Sequence, residues 1–305
     1  MKILISGGSG FIGKSLAEHL KARAGTTVLA PLRSELNFLD SSSVREYMHS
    51  ARPDLVIHGA AVGGNRKTGY DVGSTGVFAD NMRMFLNIAR GLSNGARVIS
   101  LGSGSEYDYR AYQPKMREEY FDENVPSDEY GFSKYVISQY IQNEADFVCL
   151  RLFGLFGKYE DYTYKFISNS IVKNLLGLPI VINQNVRFDY LYINDFFKVI
   201  EKFITAPGRS RHYNVTPKDS ICLLNIAELV NEIADKPSEI KVLNPGMNRE
   251  YSGDNTRLLS EFKDLEFTPY REAISELYAY YKANLASLDL AAVKQDPYIK
   301  NCRKI

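Results

Sequence analysis

An α/β fold is predicted, a doubly wound parallel sheet with a smaller mixed α+β lobe at its C-terminal side. Three observations predict it. Short continuous apolar runs alternate with amphipathic stretches through the first half, the pattern of strands buried on both faces and joined by crossover helices. The first run, Lys2–Ser6 (KILIS), feeds straight into a glycine cluster and then a helical pattern from Phe11 to Lys21. Beyond about residue 155 this rhythm loosens, which marks a second lobe.

Taken in order, Thr27–Ala30 (TVLA) is the second strand, followed by a helical patch near Ser43–His49 and a strand at Leu55–His58 (LVIH). Asn81–Leu92 reads as a helix, Arg97–Leu101 (RVISL) as a strand, Ser133–Asn143 as a helix and Phe147–Leu152 (FVCLRL) as a strand. Right-handed crossovers wind such strands into one sheet. Further on, Phe166–Leu176 is helical and Pro179–Asn183 a short strand. Asn194–Ile204 is a helix opened by Asn194 and Asp195, and His212–Val215 is a strand. Asn225–Ile233 and Tyr270–Tyr281 complete the set, and Leu288 to Ile305 reads as a loosely packed tail. Residues 1–157 with about 186–217 form the sheet domain, and 158–185 with 218–305 the smaller lobe.

With 305 residues the chain is long enough for about two domains and needs no covalent staple for its core. Lys plus Arg is 37 and Asp plus Glu 36, a net charge of +1, which argues against nucleic acid or an acidic membrane as partner. No apolar stretch approaches the roughly 20 residues of a membrane helix. Cys149, Cys222 and Cys302 are scattered, without metal-ligand spacing, so no disulfide scaffold and no metal site is expected. A reducing, cytoplasmic location follows.

The glycine cluster is Gly7-Gly8-Ser9-Gly10-Phe11-Ile12-Gly13, which satisfies both GxxGxxG and GxGxxG. Glycine permits the tight turn, the approach of a pyrophosphate and close helix packing, and the helix start at Phe11, Ile12 and Gly13 offers unpaired N–H groups. The position between a first strand and a helix is the context that separates a dinucleotide loop from a plain glycine turn. After the second strand, an NAD site presents an acid to the ribose. Here Ala30-Pro31-Leu32-Arg33-Ser34 has none, and Arg33 and Ser34 suit a 2′-phosphate. NADP(H) is therefore favoured and NAD stays open, with Arg33 as a solvated loop cation the plain alternative. Asp40, after the next apolar run, could accept from the adenine amino group.

Tyr130-Gly131-Phe132-Ser133-Lys134 places a phenol and an ammonium four residues apart on one helix face. A cation lowers the pKa of a neighbouring phenol and makes it a usable acid near neutrality. The pair lies one crossover after the strand ending at Ser103, where a doubly wound sheet builds its site, so Ser103 can donate to a substrate oxygen from the other side.

The segments GGSGFIG, HGAA (58–61), LGSGSEY (101–107), YGFSK (130–134) and YLYIND (190–195) resemble the extended short-chain dehydrogenase/reductase family, NAD(P)-dependent enzymes of nucleotide sugars on a Rossmann sheet. The resemblance runs from the first strand to SGDNTRLL (252–259). Together with SELNFLD and HGAAVGGN, it is greatest to the GDP-L-fucose synthase-like 4-ketoreductases. It implies catalysis by Ser103, Tyr130 and Lys134, with Lys134 also on the nicotinamide ribose, and Ala60, Ala61 and Asn81 beside the cofactor. It further implies a nucleotide-sugar substrate and a homodimer.

Departures from the family sharpen the expectation. Dehydratases carry an Asp-Glu pair directly after the catalytic Ser or Thr, whereas Ser103 is followed by Gly104-Ser105, with Glu106 one position late. Fucose synthases place a Cys where Ser105 stands and a His near Lys165, and the histidines here are His19, His49, His58 and His212. A hydroxyl is a far poorer base than a thiolate. The expected activity is NADPH-dependent 4-keto reduction of a nucleotide-diphospho-4-keto-6-deoxy sugar, GDP-linked sugars favoured, without 3,5-epimerisation. An NAD-dependent 4-epimerase uses the same constellation and is the alternative, with a non-catalytic NADP-binding regulator behind it. For the substrate, the resemblance implies Ser105, Lys165, Asn174 beside Lys173, Arg187, Arg249 and Arg257. Arg187 is offset by one from the family's Arg-x-Phe motif, with Phe188 at the usual Arg position.

Overall fold

The computed structural model describes residues 1–63, 76–93, 95–300 and 302. Strands and helices alternate as β1 (Lys2–Ser6), α1 (Phe11–Lys21), β2 (Thr27–Leu29), α2 (Ser41–Ala51), β3 (Leu55–His58), α3 (Val77–Arg90), β4 (Arg97–Ser103), α4 (Glu129–Gln142) and β5 (Phe147–Leu152). The chain continues through β6 (Gly154–Phe156), α5 (Phe166–Leu175), β7 (Ile180–Asn185), β8 (Arg187–Phe188), β9 (Tyr190–Tyr192), α6 (Ile193–Thr205) and β10 (His212–Val215). Then follow β11 (Ile221–Cys222), α7 (Leu223–Ile233), β12 (Ile240–Met247), α8 (Thr256–Glu261), α9 (Tyr270–Asn284), α10 (Leu290–Lys294) and α11 (Pro297–Lys300).

Six strands form one parallel sheet in the order β10-β5-β4-β3-β1-β2. Its strands are apolar at successive positions because both faces are covered. Ile3, Ile5, Leu55 and Ile57 pack against Leu16 and Leu20 of α1 and Phe196 and Val199 of α6. Leu4, Val56 and Val98 pack against Met48 of α2, Phe85 of α3 and Ile141 of α4. Each buried aliphatic side chain contributes about 1.5–3 kcal/mol. The expected doubly wound sheet is thus present, and every strand's C-terminal end points to the same edge.

In the C-terminal part, β7 and β12 pair in parallel, and α5, α7 and α9 pack together on apolar residues including Ile171, Val230 and Leu277. The sequence did not announce β12, whose residues are largely exposed and include Pro245 and Gly246, so no apolar pattern marks it. Two other expectations are corrected. Tyr192, not Asn194, caps α6, and the buried Asp195 carboxylate accepts from the backbone and hydroxyl of Thr268, pinning the loop before α9. The tail is not loose through α10 and α11. Val293 and Tyr298 are buried, Tyr298 lies against Phe166, and Asp296 pairs with Lys173 at 2.9 Å. Among the described residues, no helix is long and apolar enough to cross a membrane.

Glu160, between β6 and α5, is buried and accepts from Ser168 Oγ at 2.6 Å. Burial pushes its carboxyl up to about 7, against the pull of Lys165. The folded state therefore holds this proton where the unfolded state has lost it, so the protein loses stability as pH rises from about 4.5 to 7. Thermal melts from pH 4.5 to 8 should show that loss, and Glu160→Gln should flatten it and melt higher than wild type at pH 8.

Candidate active site

Gly7 has φ +79°, which turns the chain out of β1, and a Cβ on Gly13 would stand 2.2 Å from Gly7 O. These two glycines are required by the backbone itself. Gly10 is different, since a Cβ there meets nothing closer than Gly7 O at 3.4 Å. Gly10 also caps α1 without a side-chain hydrogen bond, so the amides at Phe11, Ile12 and Gly13 have no capping side chain. A pyrophosphate fits this cradle, with negative charge at the helix N-terminus.

A Cβ on Gly8 would lie 3.0 Å from Ala30 Cβ, so the turn after β2 adjoins the glycine loop. Arg33 and Ser34 follow in that turn and are exposed. Asp40 caps α2, accepting from the amides and hydroxyls of Ser42 and Ser43, which hold its carboxyl down to about 2. Ala60 follows β3, with its N–H on Ser6 Oγ at 3.1 Å, and Ala61 is exposed beyond it. Gly64 and Asn65, the end of HGAAVGGN, lie outside the described residues. Asn81 is buried and brackets Val62, accepting from its N–H and donating to its carbonyl, while also donating to Ser133 Oγ. It ties the loop after β3 to α4.

Ser103 ends β4 and caps a short 3₁₀ turn over Gly104–Tyr107. Its Oγ accepts from Ser105 N at 3.2 Å and from Ser105 Oγ at 2.9 Å, which leaves its own hydrogen to donate outward. Ser105 thus orients Ser103. A Cβ on Gly131 would be 2.9 Å from Ser105 O, so the start of α4 abuts this turn and brings Tyr130 beside it. Lys134 is buried, donates to Leu101 O at 2.7 Å, and has its Nζ 5.9 Å from the Tyr130 ring centre. Burial lowers its pKa, while Glu106 and Cys149 raise it. His58, also buried, is held neutral, its pKa lowered to about 3 by burial and by Lys134.

Sequence reasoning noted Glu106 only as a displaced acid. It is fully buried, and its Oε1 accepts from Ser103 N at 2.8 Å while Oε2 accepts from Arg151 Nε at 2.6 Å and Ser138 Oγ at 2.5 Å. Gly102 provides the room, since a Cβ there would stand 2.5 Å from Glu106 Oε1. Its only sequence signal is an acid between small residues and a tyrosine at a strand end.

Of the expected substrate residues, Ser105 stands beside Ser103, and the others have the following surroundings. Lys165 is exposed at the start of α5. Asn174 is buried among α7 and α9, donating to Lys236 O and Ser238 Oγ and accepting from Tyr278. Lys173 is taken by Asp296. Arg187 is exposed and donates to Ser220 O, while Phe188 packs against Tyr251 on the other side of the strand. Arg249 clamps Tyr109 O and Arg110 O at 2.7 Å. Arg257 reaches His212 O and Glu119 at the sheet's outer edge, beside the last turn of α4 and not at the Tyr130 end. An aromatic cluster of Tyr112, Phe153 and Tyr251 instead packs around Gly104.

The glycine geometry separates two substitutions. Gly10→Ala should leave the melting temperature unchanged while weakening nicotinamide-cofactor binding, because only the ligand needs that space. Gly13→Ala should weaken binding and also destabilise the fold by about 1–3 kcal/mol, because its clash is with backbone. Calorimetric titration and thermal melts read both.

A family model described as the NAD dependent epimerase/dehydratase family matches residues 3–216. A GDP-6-deoxy-D-talose 4-dehydrogenase from Aggregatibacter actinomycetemcomitans is 24% identical over 294 residues, covering 91% of this chain and 97% of its own. A GDP-mannoheptose C4 reductase from Campylobacter jejuni, solved with NADP bound, superposes with TM-score 0.78 at 18% identity, covering 92% of this chain and 98% of its own. The UDP-glucose 4-epimerase of Thermus thermophilus, in complex with NAD, superposes with TM-score 0.77 at 20% identity, covering 92% and 99%. The two solved structures share the fold. With well over half of its 305 residues matched, the chain belongs to the NAD dependent epimerase/dehydratase family, among the extended short-chain dehydrogenase/reductases.

Proposed function

We propose that this protein reduces the 4-keto group of a nucleotide-diphospho-4-keto-6-deoxy sugar with NADPH, GDP-linked sugars first, and without 3,5-epimerase activity. The observation that carries the reading is an outward-donating Ser103 hydroxyl on a turn that abuts the start of α4, the helix that carries Tyr130 and Lys134. The relatives' names, a GDP-sugar 4-dehydrogenase and a GDP-heptose C4 reductase, point to the same position of the sugar.

With its pyrophosphate on the Gly7–Gly13 loop, the cofactor would supply the hydride from its reduced nicotinamide. Ser103 Oγ–H donates to the C4 oxygen, and Tyr130 Oη delivers the proton that neutralises the forming alkoxide. Buried Lys134 supplies positive charge below the phenol and is placed to hold the cofactor ribose. Asn81 fixes the loop after β3, with Ala60 and Ala61, against α4. Arg33 and Ser34 receive the 2′-phosphate, which is the basis for NADPH over NADH. Epimerisation at carbons 3 and 5 needs two groups that exchange protons. Ser105 is a hydroxyl committed to Ser103, and His58 and His212 are buried and held neutral elsewhere. Exposed Lys165 is our candidate for the diphosphate, in a lobe spanning 158–185 and 218–305, and we expect a homodimer.

Tyr130→Phe should reduce NADPH oxidation with GDP-4-keto-6-deoxymannose by roughly 10²–10⁴-fold while cofactor affinity holds. Unchanged turnover would remove Tyr130 from the chemistry. Arg33→Ala should cost NADPH about 1.5–3 kcal/mol relative to NADH, read as the ratio of kcat/KM values. No oxidation by wild type, in protein that retains NAD through purification, would put the 4-epimerase reading in its place.

A further inference from the structure

A cavity of about 200 Å³ opens at the outer edge of the main sheet, between the first residues of β10, the last turn of α4 and α8. Gln142 on its rim lies twelve residues along α4 from Tyr130, about 18 Å at helical rise, so this is not the catalytic pocket. Arg151, Arg211, Arg257 and His212 line it. Arg151 is 0% and His212 6% exposed, yet Arg151 Nη2 and both ring nitrogens of His212 have no hydrogen-bond partner among the described residues.

Three unpaired buried polar atoms in one place are costly unless something polar sits among them. The chemistry of the walls says what. Arginine offers donors and no acceptor, so the occupant must be rich in acceptors. Arg151 already uses Nε on Glu106 and Nη1 on the Tyr107 hydroxyl, and only its buried Nη2 lacks a partner among the described residues. Glu118 also lines the cavity, but its Oε1 accepts from Asn214 N and its Oε2 lies 3.9 Å from Arg257 Nε. Arg257 further pairs with Glu119, as does Arg117. Arg211 forms no ion pair among the described residues, so its charge is the one left over.

We propose that this cavity is a second ligand site, taking a small oxyanion of the phosphate class on Arg151, Arg211, Arg257 and His212. Such an anion presents acceptor oxygens to the fork of Arg211 and to the unpartnered Nη2 of Arg151, with Arg257 adding charge from beside Glu118 and Glu119. The neutral His212 ring, its pKa lowered to about 2 by burial and then by Arg151 and Arg257, has one donor and one acceptor nitrogen. Monohydrogen phosphate answers both, with an oxygen for the donor and its own O–H for the acceptor. The occupant would touch the guanidinium that holds Glu106 beneath Ser103.

Arg211→Gln tests this, because Arg211 has no ion-pair partner among the described residues whose loss would disturb the fold. Thermal melts of the full chain would be titrated with sodium phosphate against sodium chloride at equal ionic strength. Wild type should show a saturable rise in melting temperature with phosphate, and R211Q at least tenfold weaker apparent affinity, with the same melting temperature in chloride. Phosphate binding at the glycine loop would affect both proteins equally. Equal responses, or no saturable response beyond chloride, would overturn the proposal and leave the cavity to water. Mannose 1-phosphate forms the second arm: tighter than phosphate, it identifies a phosphomonoester as the occupant, and weaker, the free oxyanion.

Discussion

The Glu106 carboxylate is buried under the Ser103 turn, and its two oxygens hold β4, β5 and α4 in one arrangement. Oε1 takes the Ser103 amide, and Oε2 takes the Arg151 guanidinium and the Ser138 hydroxyl. A charged pair at this depth is held by geometry, because removing one partner leaves an uncompensated buried charge, at a cost of about 3–5 kcal/mol. The serine cannot shift along its strand without breaking that set. Gly102 has no side chain because the carboxylate needs its space, and Ser138 sits one turn after Lys134 on α4. The same interaction therefore sets the hydroxyl, the ammonium and, through α4, the phenol.

Around this fixed point the parallel sheet supplies direction. All six strands end at one edge, so the glycine turn after β1, the loop after β3 and the Ser103 turn after β4 face one crevice. Asn81 closes the arrangement by tying the loop after β3 to Ser133 on α4. The site is assembled by short polar contacts between rigid elements, so the chemistry follows from which side chain stands at each strand end.

Much of this was legible in the sequence. The main strands could be read because burial on both faces makes them continuously apolar, and the glycine loop because its spacing reflects backbone clashes such as Gly13 on Gly7. Tyr130 and Lys134 could be read because helical periodicity links them locally. Glu106 could not, since its partner Arg151 lies 45 residues away and only the β4–β5 pairing brings them together. Asn174 and Arg257 were expected near the substrate because the resemblance places them there, and sequence alone does not show their packing. Asn174 instead serves a buried network with Tyr278, and α8 carries Arg257 against β10. The tail looked loose because its helices are only five and four residues long, and Val293 and Tyr298 find their partners far away in sequence.

The central claim is our proposal of reduction at carbon 4 without proton exchange at carbons 3 and 5. Turnover of GDP-4-keto-6-deoxymannose with NADPH in deuterated water, followed by NMR of the sugar product, tests it most directly. The account predicts NADPH oxidation with no deuterium at carbons 3 and 5. Deuterium at either carbon would show that the protein carries an epimerising base, and would contradict the reading of Ser105 as a hydroxyl that only orients Ser103.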